Sequence, residues 1–200
     1  MINLRKLSLA ALAATLLFVP SPGTAQDPGA CWLRGETTPE AAAERPSPLA
    51  VVAITMSGET AQVCYARPSA RDREVMGALV PYGEVWRTGA NEATQLHLPF
   101  DATIGGVQVP AGVYSLYTVP GETEWQFFLS SEYQRWGIPV TDAVRAAEVA
   151  QVTRSVAATD DMVETFTISW SSHGEMMGHL VFEWEHTRVE LPIHHGAMSH

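Results

Sequence analysis

Lysine is almost absent from this 200-residue sequence, because Lys6 is the only one. Beyond that position every permanent cation is an arginine, which excludes Schiff-base formation and lysine general-base catalysis. Any anion must then be held by a planar guanidinium group or by backbone N–H groups. Asp and Glu outnumber Lys and Arg by 22 to 12, which gives a formal charge of −10. An acidic chain of this kind has no electrostatic basis for binding nucleic acid or an anionic membrane surface.

Long apolar runs are also scarce, and the one that stands out is residues 7–19. It follows Arg5 and Lys6 and precedes a proline-containing break and the small residues at 23–25. This pattern predicts a secretory signal peptide over residues 1–25. No other stretch is long and apolar enough to cross a bilayer, so we expect an exported protein, periplasmic or extracellular, without a transmembrane segment after cleavage.

Cysteine occurs only twice, at Cys31 and Cys64. In an exported chain the expected state is one disulfide, which would join the N-terminal segment to the strand that holds Cys64. Two alternatives remain open at this point. One is a free-thiol nucleophile, although neither cysteine has neighbours that lower a thiol pKa. The other is lipidation of Cys31, although Pro28 stands where a lipidation signal has an aliphatic residue.

Apolar residues alternate with polar ones through most of the remaining chain. Residues 49–56 and 60–67 flank a short turn and predict a hairpin. Near the C-terminus the alternation changes phase between His186 and Arg188, which predicts a β-bulge or bend. Dense turn signals between short strands predict an all-β domain over residues 49–193, an antiparallel β-sandwich or partly open barrel with one or two short helices.

The helical signals are confined to two short segments, residues 69–79 and residues 141–151. Residues 26–48 are predicted to form an extended N-terminal segment or linker. Within them, residues 34–48 are rich in Pro, Ala and Glu and predict either an extended linker or a short helix on the surface. Residues 194–200 contain three histidines and predict a flexible tail.

One loop combines large aromatic side chains, a cation, an amide and a carboxylate within VPYGEVWRTGANEAT, residues 80–94. A guanidinium fork beside an amide and an aromatic surface is suited to binding a carboxylate, a sugar or a polar planar group. The alternative is a loop that stabilises itself through pairing of its own charged groups. The residues that we predict to form a ligand site are Arg67, Tyr82, Trp86, Arg87, Asn91 and Glu92.

The same stretch carries a family resemblance. YARPSARDREVMGALVPYGEVWRTGANEAT, VPAGVYSLYTVPGETEW and LVFEWEHTRVELPI together resemble the bacterial domain-of-unknown-function family 2911 over about residues 50 to 193. The resemblance implies an exported or envelope-associated protein, and it implies no activity, cofactor or residue role. His186 departs from the pattern, since the family has Asn there.

A second candidate site lies in HGEMMGH, residues 173–179. Imidazole and thioether groups together suit copper, so an alternative function is periplasmic copper binding. The spacing differs from that of the zinc-protease H-E-x-x-H motif. The candidate ligands are His173, Met176, Met177 and His179.

Catalysis is the least favoured function, because the sequence contains no nucleophile elbow, C-x-x-C, P-loop or dinucleotide motif. A hydrolase would use Glu92 as acid or base and Arg87 to hold an anionic group. We instead expect a non-enzymatic module without a cofactor that binds a small ligand, a carbohydrate or another component of the cell envelope.

Overall fold

The computed structural model describes residues 29–197, so the predicted signal peptide lies outside the described residues. Within these residues the strands form an antiparallel sheet, and two short helices accompany it. In chain order the elements are α1 (Pro39–Ala43), β1 (Leu49–Met56), β2 (Glu59–Ala66), β3 (Ala90–Leu98), β4 (Ala102–Ile104), β5 (Val107–Val109), β6 (Gly112–Pro120), β7 (Glu124–Ser130), α2 (Asp142–Ala146), β8 (Glu148–Ser172) and β9 (Met177–His195).

The sheet order is β1-β2-β3-β6-β7-β8-β9-β4-β5, and the sheet does not close into a barrel. The 25-residue strand β8 belongs to both halves: its first part pairs with β7, and the rest pairs with β9. The sheet therefore folds over at β8, and its two halves enclose one apolar core. This confirms the predicted all-β antiparallel fold. No helix in residues 29–197 meets the length and apolarity that a membrane span requires.

Aromatic side chains from both halves fill the core. Trp125 and Phe127 on β7 meet Phe166 on β8 and Phe182 and Trp184 on β9, and each is at most 2% exposed. Their positions follow from the two-residue period of a strand, which sends alternate side chains to the same face. Burial of one such side chain is worth about 1.5–3 kcal/mol.

Two hairpins turn through residue pairs that both have positive φ. Ser57 and Gly58 have φ values of 50° and 81°, and Gly105 and Gly106 have values of 57° and 96°. Two consecutive left-handed residues match the right-handed twist of the flanking strands, so these short turns set the register of their hairpins.

The predicted helix over residues 69–79 is wrong. Arg71 and Asp72 have φ values of 53° and 59°, which no right-handed helix allows. The segment makes turns, and the N–H groups of Val75 and Met76 donate to the carboxylate of Glu185 instead of to a helical turn.

The second predicted helix, residues 141–151, is present only in part. Thr141 caps α2, which ends at Ala146. The chain then enters β8, where Glu148 pairs with Ser130 of β7 and Ala150 with Leu129. Pairing with a neighbouring strand thus overrides the local helical propensity.

The predicted phase change in β9 is present, and it is centred on Glu185. The register is irregular between Glu183 and Thr187, where β8 carries extra residues, and Glu185 has a φ of 51°. Past this point β9 continues to His195, two residues into the predicted tail, and pairs with β4.

Candidate functional site

The loop before β3 takes an unusual backbone path. Trp86 forms an antiparallel bridge with Thr118 of β6, with N–H to oxygen distances of 2.8 and 2.9 Å. Thr88 and Asn91 then have φ values of 55° and 59°, and Gly89 has a φ of 148°. A Cβ on Gly89 would lie 3.0 Å from a backbone oxygen and from a hydroxyl, so a side chain there would be strained.

Trp86 joins this loop to the core. Its ring lies 4.9 Å from Phe166 and 5.7 Å from Trp125 in edge-on contacts, and 5.8 Å from Trp184 in a stacked one. Such aromatic pairs contribute about 0.5–1.5 kcal/mol each beyond their buried area. Trp86 remains half-buried because its outer part lines a pocket.

This pocket has a volume of about 420 Å³ and is called the arginine pocket below. Its walls come from the N-terminal segment, the turns before Val80, the motif loop and the segment after β7. The side chains that give it chemical character are Arg71, Arg73, Leu79, Glu84, Trp86, Arg87, Ile138 and Trp184.

Arg87 is the unusual residue of the arginine pocket. Its stem packs on Gly137, where an added Cβ would lie 2.4 Å from the Arg87 Cδ. Burial lowers the pKa of the guanidinium from its ordinary value, and burial is the sole cause of that shift. The Arg87 side chain forms no hydrogen bond or ion pair with any other residue of the described range 29–197. The donors of its guanidinium therefore have no partner within that range.

Two further guanidinium groups line the pocket. Arg71 donates to the Pro46 carbonyl oxygen at 2.7 Å, and Arg73 donates to the carbonyl oxygens of Ala70 and Ser69 at 2.8 and 3.0 Å. Neither forms an ion pair with a described carboxylate. The pocket therefore concentrates positive charge on an otherwise acidic protein.

The β9 irregularity holds one wall of the pocket in place. Both carboxylate oxygens of Glu185 accept backbone N–H groups, from Val75 at 2.9 Å and from Met76 at 2.8 Å. The next turn is closed by the Gly77 N–H, which donates to the Val80 carbonyl oxygen at 2.9 Å. The bulge thus directs an acidic side chain to the loop that carries Arg71 and Arg73.

Glu92 and Asn91 face the other side of the loop. Glu92 is buried, and its carboxylate accepts from Arg45 Nη1 at 2.8 Å and from the Arg34 N–H at 3.2 Å. Asn91 donates its amide to the Ser47 carbonyl oxygen at 3.1 Å. These two residues anchor the N-terminal segment. Glu92 lies outside the arginine pocket and pairs with Arg45 rather than with Arg87, so the structure does not bring together the two residues that the hydrolase hypothesis named.

Arg67 and Tyr82 also lie outside the pocket lining. Arg67 donates to the Phe166 carbonyl oxygen at 3.5 Å and to Thr167 Oγ1 at 3.2 Å, which ties β2 to β8. Tyr82 is 40% exposed and rests on Gly77. Of the six predicted ligand-site residues, the structure thus brings two together at the pocket, Trp86 and Arg87.

The Cys31–Cys64 disulfide is present, as predicted. It attaches the N-terminal segment to β2, and Trp32 adds two hydrogen bonds with Gln95 of β3, at 2.9 and 2.8 Å. Residues 29–48 are therefore docked on the sheet, and Pro46 and Ser47 form part of the pocket wall.

The predicted copper ligands lie on the β8–β9 turn. The rings of His173 and His179 are 4.5 Å apart, and His179 Nδ1 lies 2.7 Å from a Glu190 carboxylate oxygen. Met176 is exposed, and its sulfur accepts a hydrogen bond from Ser57. Met177 is half-buried, and its carbonyl oxygen accepts from the His173 N–H at 2.9 Å. In the described part of the chain no three His, Cys, Asp or Glu side chains are grouped to hold a metal ion.

Sequence reasoning missed several pocket residues. Arg71 and Arg73 could have been predicted as pocket residues from the sequence, since they follow the R-P-S element in an arginine-rich stretch. Ile138 and Trp184 could not have been predicted from the sequence, because they are far from the motif along the chain and only the folded sheet brings them to it.

Comparison with known proteins identifies one family. A family model described as "Protein of unknown function (DUF2911)" matches residues 47–193, most of the chain, and confirms the resemblance found in the sequence. No curated protein and no solved structure matches the chain.

Proposed function

We propose that this chain, which belongs to the DUF2911 family, binds a small anionic molecule in the arginine pocket and does not transform it. The observation that carries the proposal is the half-buried guanidinium of Arg87, whose donors have no partner among residues 29–197. Partial burial removes part of the hydration of this cation, and no described residue compensates the loss. A bound anion would supply that compensation through charge-assisted hydrogen bonds.

The composition of the pocket supports binding rather than catalysis. General acid–base chemistry needs a proton donor and acceptor positioned on the reacting group. Among the described lining residues Glu84 is the one carboxylate, it is exposed, and no histidine or cysteine accompanies it. Three guanidinium groups without an acid–base pair are suited to holding an anion in place.

We also propose an exported location for this binding protein. Two observations support it: the signal-peptide pattern of residues 1–25 and the Cys31–Cys64 disulfide, a bond that persists in oxidising compartments. The ligand would then come from the periplasm or the medium, or from another envelope component.

The direct test is a binding screen by calorimetry with benzoate, citrate, galacturonate and inorganic phosphate. We expect at least one of these anions to bind the wild type, and Arg87→Gln to weaken it about tenfold or more, since a charge-assisted hydrogen bond is lost. Arg154→Gln is the matched control, because Arg154 is a half-buried arginine on another surface. If no anion binds, or if both variants bind like the wild type, the proposal is wrong.

Copper binding remains a second candidate, and one contact favours it. The Glu190 carboxylate is hydrogen-bonded to Nδ1 of His179. A carboxylate in this position orients a metal-binding imidazole and leaves its Nε2 for the ion. The His173 ring lies beside it. Titration with Cu(I) should show one site that is lost in the His173→Asn/His179→Asn double variant, whereas identical titrations of both proteins would eliminate this function.

A further inference from the structure

The exposed part of the arginine pocket carries two large apolar side chains, called the rim below, beside exposed charged groups. Leu79 is 44% exposed and Ile138 is 49% exposed, and both line the pocket. They are two of the seven large hydrophobic side chains exposed in the described part of the chain. Half-buried Trp86 adds aromatic surface to the lining. Exposed apolar groups around a concave site indicate a surface that a ligand covers.

The charge in this pocket is arranged unevenly. The guanidinium of Arg87 is half-buried and has no partner in the described part of the chain, whereas Arg71 and Arg73 are exposed and already donate to carbonyl oxygens. The strongest demand for a negative charge is therefore at one point, Arg87. A planar guanidinium forms paired hydrogen bonds with a carboxylate, whose two oxygens match its geometry.

Neutral hydrogen-bonding side chains are few among the described lining residues, which include two serines, Ser47 and Ser69. A sugar would need a partner for each of several hydroxyl groups, because polar groups that lose water without a new partner weaken binding. Trp86 also uses part of its ring surface in contacts with three core aromatics, which leaves less of it for a sugar to stack on.

We infer that the ligand is an amphiphilic carboxylate, an acid with one carboxylate and an aromatic or short aliphatic body. The carboxylate is held by Arg87, and the body lies between the tryptophan surface and the rim formed by Leu79 and Ile138. A volume of about 420 Å³ accommodates a molecule of this size. This inference rests on the proposed function and specifies its ligand.

The test uses calorimetry with the oxidised protein and three matched probes: 4-phenylbutyrate, its primary amide, and galacturonate, an acid with a polar body. We expect 4-phenylbutyrate to bind most tightly. The amide should bind about tenfold more weakly, because the charge that Arg87 recognises is missing. The Leu79→Ser/Ile138→Ser variant should weaken 4-phenylbutyrate about fivefold through lost apolar contact and leave galacturonate unchanged.

The outcomes separate this inference from the function on which it rests. If galacturonate binds more tightly than 4-phenylbutyrate and depends on Arg87, the pocket binds anions but the amphiphilic class is wrong. An unchanged affinity for 4-phenylbutyrate in the rim variant overturns the class in the same way. If no probe and no anion of the wider screen binds, the proposed function fails as well. Thermal unfolding of each variant verifies that it is folded, which we expect because both rim side chains are exposed.

Discussion

The same substitution at two arginines should change stability in opposite directions. Arg87→Met removes a half-buried guanidinium without a described partner and keeps an unbranched stem that can pack on Gly137. Arg45→Met removes the cation that pairs with Glu92 at 2.8 Å, where the Glu92 side chain is 7% exposed. The comparison therefore distinguishes a guanidinium kept for a ligand from one kept for the fold.

The expected magnitudes follow from burial. An unsatisfied polar group costs about 1–3 kcal/mol when buried, and half burial places Arg87 near the lower end. We therefore expect Arg87→Met to raise the free energy of unfolding of the ligand-free protein by about 1 kcal/mol and the melting temperature by about 2–4 °C. Breaking a fully buried ion pair costs about 3–5 kcal/mol. Because the Arg45 side chain is 24% exposed, we expect a loss of about 2–3 kcal/mol for Arg45→Met, or about 4–12 °C.

Urea unfolding monitored by tryptophan fluorescence measures both changes, with the disulfide kept oxidised and the buffer free of carboxylates and phosphate. Adding a saturating amount of a bound anion should then stabilise the wild type by about 1.4 kcal/mol more than Arg87→Met, the equivalent of a tenfold loss of affinity for the native state. If Arg87→Met destabilises the ligand-free protein as much as Arg45→Met does, Arg87 has a structural role and the argument for a ligand is refuted.

Three further predictions concern groups around the pocket and the sheet. The hydrogen bond from Arg188 holds the pKa of the Glu190 carboxyl below its ordinary value of 4.5. The stability that this pair contributes is therefore fully present above pH 4.5, and it is lost as the pH falls through the lowered pKa. Glu190→Gln should flatten this acid limb of the unfolding free energy, and an unchanged limb would contradict the assignment. Gly137→Ala places a Cβ 2.4 Å from the arginine stem and 3.0 Å from a backbone oxygen, so calorimetry should show weaker binding of any anion that the wild type binds; equal affinity would show that the stem moves freely. Reduction of the Cys31–Cys64 disulfide should lower the melting temperature and loosen the N-terminal wall of the pocket, visible as faster amide exchange in residues 29–48, whereas unchanged exchange would mean that the hydrogen bonds of this segment suffice.

The local alternation of apolar and polar residues was sufficient to predict most strands of the sheet. The alternation of Trp125 and Phe127 identified their inward face, because strand geometry sends every second side chain to one side. Local pattern failed at residues 69–79, where a long-range contact with Glu185 holds turns in place of a helix. Helical propensity is too weak a preference to resist such a contact.

The candidate site also has residues that the sequence made recognisable and contacts that it did not. Trp86 and Arg87 were recognisable because an aromatic and a cation in a glycine-containing loop are typical of a binding site. The partner of Glu92 was not recognisable: the nearest cation in sequence is Arg87, whereas the one in space is Arg45. Charged side chains form ion pairs with the opposite charge that lies nearest in the folded structure. Closeness in the sequence does not show which charge that is.

By itself, the sequence determined the all-β class, the disulfide partners, the family and the loop that carries Trp86 and Arg87. Only the tertiary structure decided that Arg87 faces a pocket and that Ile138 completes its rim. The physical reason is that strand periodicity and turn chemistry act between near neighbours in the chain. A pocket, in contrast, is formed by distant segments, whose meeting depends on how the whole sheet folds over at β8.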